Sequence, residues 1–292
     1  MIRVALPTSA AAVPRSIMTS AGESIAKNQE EEAKRVWRKA DAVCFDVDST
    51  VCRDEGIDDL AAFLGVGEAV ANVTRTAMNG NARFRDALAA RLQVMKPNKD
   101  QLDHYVNITR PKLTQGIKEL VSRLQSRGTH VYLVSGGFRR LILPVAELLG
   151  IDQSRIYANE ILFDKLGNYN GFDTSELTSD SGSKDCDGFQ IVLISKRLRA
   201  DKLAKNNHKY LYTISDGQTS CDRSLEEKVP LQNGCDGSDG ATDAEAAPPA
   251  DAFIGFGGNV VREAVKARAK WYVTDFDVLR KDLENDESSD DE

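Results

Sequence analysis

Four carboxylates and two small hydroxyls crowd into 46-DVDSTVCRDE-55: Asp46, Asp48, Asp54 and Glu55, with Ser49 and Thr50 between them. The apolar run just before, 42-AVCF-45, is too short for a helix and suits a buried strand. Residues i and i+2 of an extended chain face one side, so Asp46 and Asp48 can point into a single pocket at the strand's C-terminal end. In open parallel sheets that end is where ligands bind. Two close carboxylates split their proton affinities, leaving one ionised and the other more easily protonated. One short stretch thus offers a nucleophile and a general acid/base.

A carboxylate nucleophile suits phosphoryl transfer, because an acyl phosphate divides one hard step into two easier ones. A phosphate dianion approaching two carboxylates is repelled, so the chemistry calls for a divalent cation, a lysine and donors to the phosphate oxygens. The chain supplies 135-SGG-137, with a hydroxyl and unhindered backbone N–H groups, Lys184 in 181-SGSK-184, and the acidic 239-DGATD-243.

The elements that must position these groups alternate. Helix 114–128, strand 130–135, turn 136–137 and helix 138–150 follow the grammar of a parallel sheet covered by helices. Residues 156–172 read as strands around a Gly-Asn turn. Between the acidic stretch and this unit, segments 57–66, 68–80, 82–95 and 98–109 carry apolar residues at helical spacing, separated by Gly or Pro. The fold expected is α/β: a Rossmann-like parallel-sheet core at 23–56 and 111–283, with a small helical cap inserted at 57–110. Residues 1–22 read as a flexible leader and 284–292 as a solvated acidic tail.

Composition narrows the function further. A net charge of −7 over 292 residues, without a dense Lys/Arg stripe, argues against nucleic acid as a partner. No apolar run approaches the ~20 residues that span a bilayer. The five cysteines form no C-x-x-C pair and have no accompanying histidine spacing, so neither a disulfide framework nor a zinc site is indicated. A reducing compartment fits: the cytoplasm, or an organelle if the leader, with Arg3 and Arg15 and no acid, is a transit peptide. Taken alone, Arg91 on a helix reads as a solvated face residue, and His104, His130 and His208 carry no evident role.

Taken together, DVDST, 78-MNG-80, Arg91, 134-VSGGF-138, 181-SGSK-184, 239-DGATDAEAAPPADAFIGFGGNVVREAV-265 and 270-KWYVTDF-276 resemble the phosphoserine phosphatases of the haloacid-dehalogenase-like superfamily. The likeness covers about residues 35–184 and 239–283. It implies Asp46 as the phosphate-accepting nucleophile and Asp48 as general acid, then base. It implies Mg2+ on Asp46, the backbone carbonyl of Asp48 and Asp239, with Asp243 supporting. Ser135, Gly136 and Lys184 would bind phosphate, Glu55 the substrate ammonium and Arg91 its carboxylate, with Met78, Phe84 and Thr242 completing the pocket. The implied partner is O-phospho-L-serine, at the last step of serine biosynthesis, with a homodimer left open.

The chain departs from the family pattern between Lys184 and Asp239. A helix and a strand with short loops need ~20 residues, whereas 185–238 reads as an atypical insertion. The segment before Asp239, 229-VPLQNGCDGS-238, makes a poor strand, with Pro230 and several turn residues. A second candidate, 210-YLYTISDG-217, runs from an apolar stretch into Asp216, a better-supported strand-end ligand by local pattern. Two other functions therefore stand beside the leading one: an impaired isoform whose metal site is disrupted, and a phosphatase of the same superfamily acting on, for instance, a sugar phosphate.

Overall fold

The structure, a computed structural model, describes residues 15–78, 84–179, 211–215 and 251–287. Six strands, β1 (Ala42–Asp46), β2 (His130–Phe138), β3 (Ile156–Asn159), β6 (Leu211–Ser215), β7 (Ala252–Phe256) and β8 (Trp271–Val273), form one sheet. Their order is β3-β2-β1-β6-β7-β8 and every pairing is parallel. The chain steps from β1 outward to β2 and β3, then resumes on the other side at β6. The reversal of strand order therefore falls at β1, and the carboxyl ends beside it form the crevice where open α/β sheets take their ligands.

Strand β1 is buried at all five positions, as expected of a strand covered on both faces. Val43, Phe45, Val131, Leu133, Ile254 and Phe256 build the sheet's core. Helix α1 (Arg15–Trp37) enters it through Trp37, fully buried, whose indole N–H donates to the Leu279 carbonyl at 3.1 Å. The Trp37 ring meets Trp271 edge-on at 6.5 Å, and Phe256 stacks on Phe276 at 4.1 Å. Each such buried aromatic contributes about 1.5–3 kcal/mol by removal from water. Arg38 and Asp282 close this end with a two-pronged ion pair at 3.0 and 2.7 Å.

Between β1 and β2 the chain forms α2 (Gly56–Phe63), α3 (Gly67–Met78), α4 (Phe84–Met95) and α5 (Lys99–Ile108), before α6 (Ile117–Ser126) leads back to the sheet. Helix α5 starts on a capping box: the Asn98 side chain accepts from the Gln101 N–H, and Gln101 accepts from the Asn98 N–H. These helices bury a second core of Ile57, Leu60, Leu88, Leu92, Leu102 and Tyr105. That core also takes in Phe138 and Ile161, with Phe163, Tyr169 and Phe172 packed against it. The antiparallel hairpin β4 (Ile161–Phe163) and β5 (Tyr169–Phe172) supplies most of these residues, and its Gly167 carbonyl accepts from the Lys99 N–H at 2.8 Å. The helical unit is thus closed by residues well beyond 57–110.

Several boundaries differ from expectation for identifiable reasons. The SGG stretch is no turn: β2 continues to Phe138, with a register irregularity against β3 between Val134 and Phe138. There the Ser135 hydroxyl accepts from the Gly137 N–H, and Asn159 donates to the Gly136 carbonyl, so side chains replace missing ladder bonds. Helix α7 (Arg139–Leu149) follows and stops at Gly150, which is left-handed at φ 63°. Helix α1 begins at Arg15, inside the segment read as a leader, and the C-terminal helix Phe276–Glu287 runs into the acidic tail. Most consequentially, five residues assigned to the 185–238 insertion form β6, a central strand of the sheet.

Candidate active site

The backbone is extended at Asp46 (φ −64°, ψ 153°), where β1 ends, turns helical at Val47, is extended again at Asp48 (φ −67°, ψ 134°), and reverses at Ser49, which is left-handed at φ 54°. A non-glycine residue there costs about 1–2 kcal/mol and persists only when its surroundings hold it. The turn puts Asp48 against the start of α2: the Gly56 N–H donates to Asp48 Oδ1 at 2.9 Å. A carboxylate at a helix N-terminus is stabilised by the unsatisfied amides and the helix dipole. The other oxygen, Asp48 Oδ2, accepts from the Ser135 hydroxyl at 3.2 Å. Ser135 thus links the Gly137 amide to Asp48, joining the ends of β1 and β2. A Cβ on Gly137 would lie 3.0 Å from Ser135 Oγ and 3.2 Å from Asp48 Oδ2, so this position is crowded for any other residue.

Asp46, at 9% exposure, accepts from the Thr50 hydroxyl at Oδ2, 3.2 Å. Glu55 is also buried, and its Oε1 accepts from the Ser49 hydroxyl at 2.5 Å. The six polar residues of the opening stretch therefore divide the work among them. Ser49 holds Glu55, Thr50 holds Asp46, Asp48 caps α2, and Asp54 pairs with Lys112 at 3.1 Å. A cleft beside Asp48 is lined by Val47, Cys52, Tyr105, Leu141 and Pro144, between the sheet and the helical unit. Burial, with the nearby Asp59 and Asp54, pushes the Tyr105 hydroxyl up to about 12. Burial and the carboxylates of Asp48, Asp54 and Asp46 push the Cys52 thiol up too, so it is held neutral rather than as a reactive thiolate.

Of the sequence-predicted site residues, Asp46, Asp48, Glu55, Ser135 and Gly136 come together at the ends of β1 and β2. Arg91 is only 1% exposed, deep in the helical unit on α4, which contradicts its reading as a solvated face residue. A buried arginine charge is costly unless it is compensated. Phe84 is buried on the same helix. Helix α4 is tied to the segment following β5 by Arg85, which donates to the Ser179 and Thr174 carbonyls at 3.2 and 3.1 Å. Met78 ends α3. Lys184, Asp216, Asp239, Thr242 and Asp243 lie outside the described residues.

Residues 40–172 match the haloacid dehalogenase-like hydrolases. The chain is 44% identical over 253 residues, 87% of its own length and 97% of the relative's, to a phosphoserine phosphatase of Mus musculus. The chain belongs to the phosphoserine phosphatase family of haloacid dehalogenase-like hydrolases. A chloroplastic phosphoserine phosphatase of Arabidopsis thaliana is 41% identical over 256 residues, 87% of this chain and 75% of that one. In three dimensions the chain is similar to a phosphoserine phosphohydrolase-like protein from Francisella tularensis, with a TM-score of 0.60 and 25% identity over 82% of this chain and 98% of the other.

Within this phosphoserine phosphatase framework, sequence reasoning missed the residues that brace the site rather than line it. Asn159, fully buried, fixes the Gly136 carbonyl at 2.7 Å and is itself fixed by the Thr178 hydroxyl at 3.0 Å. Asn259, just beyond β7, reaches the Ser49 carbonyl at 2.9 Å and Thr114 Oγ1 at 2.7 Å. The only signal for Asn159 was an amide closing an otherwise apolar strand; for Asn259 it was the pair of glycines before it.

Proposed function

We propose that this phosphatase hydrolyses O-phospho-L-serine to L-serine and phosphate through an aspartyl phosphate on Asp46. An Asp46 oxygen attacks phosphorus, and the seryl oxygen leaves with the proton of Asp48. Asp48 then takes a proton from water, whose oxygen attacks phosphorus and breaks the bond to Asp46, releasing phosphate. The observation that carries this reading is the seating of Asp48, fixed by the Gly56 amide and the Ser135 hydroxyl two residues from Asp46. Ser135 and Gly136, with Lys184, are the phosphate donors. Glu55 and Arg91, both buried, suit a zwitterionic amino acid, which speaks against a sugar phosphate.

The donor set at the end of β1, carboxylate and carbonyl oxygens, fits a hard cation such as Mg2+. Asp46, the Asp48 carbonyl and a third aspartate would hold it, and bound there it would offset the phosphate charge. Identity with the family supports Asp239, with Asp243 behind it. The parallel pairing of β6 with β1, which sets Ile214 beside Phe45, supports Asp216, the second residue after Ile214. That strand speaks against an impaired isoform if Asp216 is the ligand; the segment ahead of Asp239, on which that reading rested, lies outside the described residues. Among the described residues no helix is long and apolar enough to cross a membrane. The cytoplasm is the proposed compartment, with an organelle the alternative that the chloroplastic relative supports.

The test is phosphate release from L-phosphoserine by the full chain, with Mg2+ and with a chelator. The expected outcome is metal-dependent turnover that Asp46→Asn lowers by at least about 10³-fold, on the scale of removing a nucleophile. Turnover surviving in Asp46→Asn would refute the covalent route.

A further inference from the structure

We infer that Asn259 is a positioning residue for the turn that carries Asp46 and Asp48, and that it fixes this turn to the segment by which the helical unit returns to the sheet. The inference rests on the phosphatase reading above but uses residues to which that reading gives no role.

The side-chain amide of Asn259 has two hydrogens. Its shortest contacts are the Thr114 hydroxyl oxygen at 2.7 Å and the Ser49 carbonyl at 2.9 Å, with the carbonyls of Thr50 and Cys52 farther off at 3.3 and 3.4 Å. Thr114, buried at 8% exposure, donates its own hydroxyl proton to the Thr50 carbonyl at 2.7 Å, so it accepts from Asn259. The directions are mutually consistent: Asn259 can only donate here, since the oxygens it faces include backbone carbonyls. Both carbonyls so gripped, Ser49 and Thr50, follow immediately after Asp48, in the turn whose left-handed residue needs external support.

Thr114 belongs to the returning segment. Its N–H donates to the Val51 carbonyl at 2.9 Å, the Arg53 N–H donates to the Lys112 carbonyl at 2.9 Å, and Cys52 and Leu113 form an antiparallel bridge. The segments leaving and re-entering the sheet are thus paired beside the turn through an isolated bridge and its flanking hydrogen bonds, and Asn259 pins the pair from just beyond β7. The glycines before it make this reach feasible. A Cβ on Gly257 would fall 1.7 Å from the Tyr272 hydroxyl, and one on Gly258 would fall 2.6 Å from the Thr274 carbonyl. Only a chain without side chains passes there to deliver Asn259 to the turn.

Because Asn259 grips backbone next to Asp48 while Glu55 and Arg91 hold the amino acid, its loss should appear in kcat rather than KM. Misplacement of a reacting group by about 1 Å can cost on the order of 10²-fold. The test combines steady-state kinetics on L-phosphoserine with hydrogen exchange of the full chain. For Asn259→Ala we expect kcat to fall about 10–100-fold, KM to stay within about threefold, and exchange to quicken in 47–53 and 112–115 but not in β2. Asn259→Asp, nearly isosteric but facing carbonyls with an acceptor, should be at least as impaired. Thr114→Val should act in the same direction, and the double variant should lose less than the two singly combined. Wild-type kcat in Asn259→Ala, or a loss accompanied by uniformly faster exchange, would overturn the inference. If the unaltered chain fails to turn over phosphoserine, the phosphatase reading fails, and the exchange result alone decides on Asn259: unchanged exchange in 47–53 refutes it.

Discussion

The two halves of the molecule bury different things. The sheet half hides large apolar rings, Trp37, Phe45, Phe256, Phe276, and leaves its reactive carboxylates at the strand ends, where backbone and hydroxyl groups steer them. The helical half hides a charge, Arg91, and borrows part of its core from the hairpin 161–172. A rigid, apolar-filled sheet is what fixed reacting atoms need. In the proposed reaction the smaller unit, with its shared packing and buried charge, recognises the substrate, and the sheet carries the chemistry.

The comparison breaks first at the sheet's metal side. If the sheet half alone holds the chemistry, the third aspartate must follow a strand beside β1, and β6 makes Asp216 that residue by position, while family identity names Asp239. Asp216→Asn and Asp239→Asn, assayed for phosphate release across Mg2+ concentrations, should separate the two. The true ligand's loss should lower turnover by about 10²–10³-fold, comparable to removing one preorganised electrostatic partner, and the other's should leave it within a few-fold. Equal, small effects would show that neither aspartate serves and that the metal side lies elsewhere.

How much of this was legible in the sequence follows the same division. DVDST was readable as a pair of carboxylates closing a buried strand, but β1 ends at Asp46 and the chain turns helical at Val47, so the turn rather than the alternation of a strand sets where Asp48 stands. The helices of the inserted unit were readable from their period: α2 begins at Gly56, one residue before the expected 57, α4 ends at Met95, two residues before Pro97, and α5 runs from Lys99 to Ile108 against an expected 98–109. What stayed hidden depends on partners distant in sequence. The continuation of β2 through Ser135-Gly-Gly needs Asn159, and the burial of Arg91 needs neighbours that periodicity does not supply. The placement of β6 at the sheet's centre needs β1 and β7 on either side, whereas its flanking sequence reads as loop.

A second prediction sharpens the contrast from the helical side. If Arg91 serves recognition, Arg91→Ala should raise KM for L-phosphoserine about 10–100-fold, the scale of one lost charge-assisted contact, with a smaller change in kcat. A KM unchanged within twofold would sink the assignment. A parallel measurement with phosphoethanolamine, which lacks the carboxylate, reads the same contact from the substrate: the variant and the original chain should handle it alike.

The smallest effect tests whether the hairpin belongs to the helical half. Ile161 is 4% exposed and shares the second core with Leu88, Leu92 and Leu102. Ile161→Val removes one buried methyl group, which costs about 0.5–1.5 kcal/mol. If the hairpin closes the helical unit, amide exchange in α4 and α5 should quicken by several-fold while β1 and β2 keep their protection. The catalytic turn, anchored to the sheet through Asn259 and Ser135, should not follow. Faster exchange in β1 and β2 to the same extent would instead mean that the two cores open as one cooperative unit, and that the division between reacting and recognising halves does not extend to their stability.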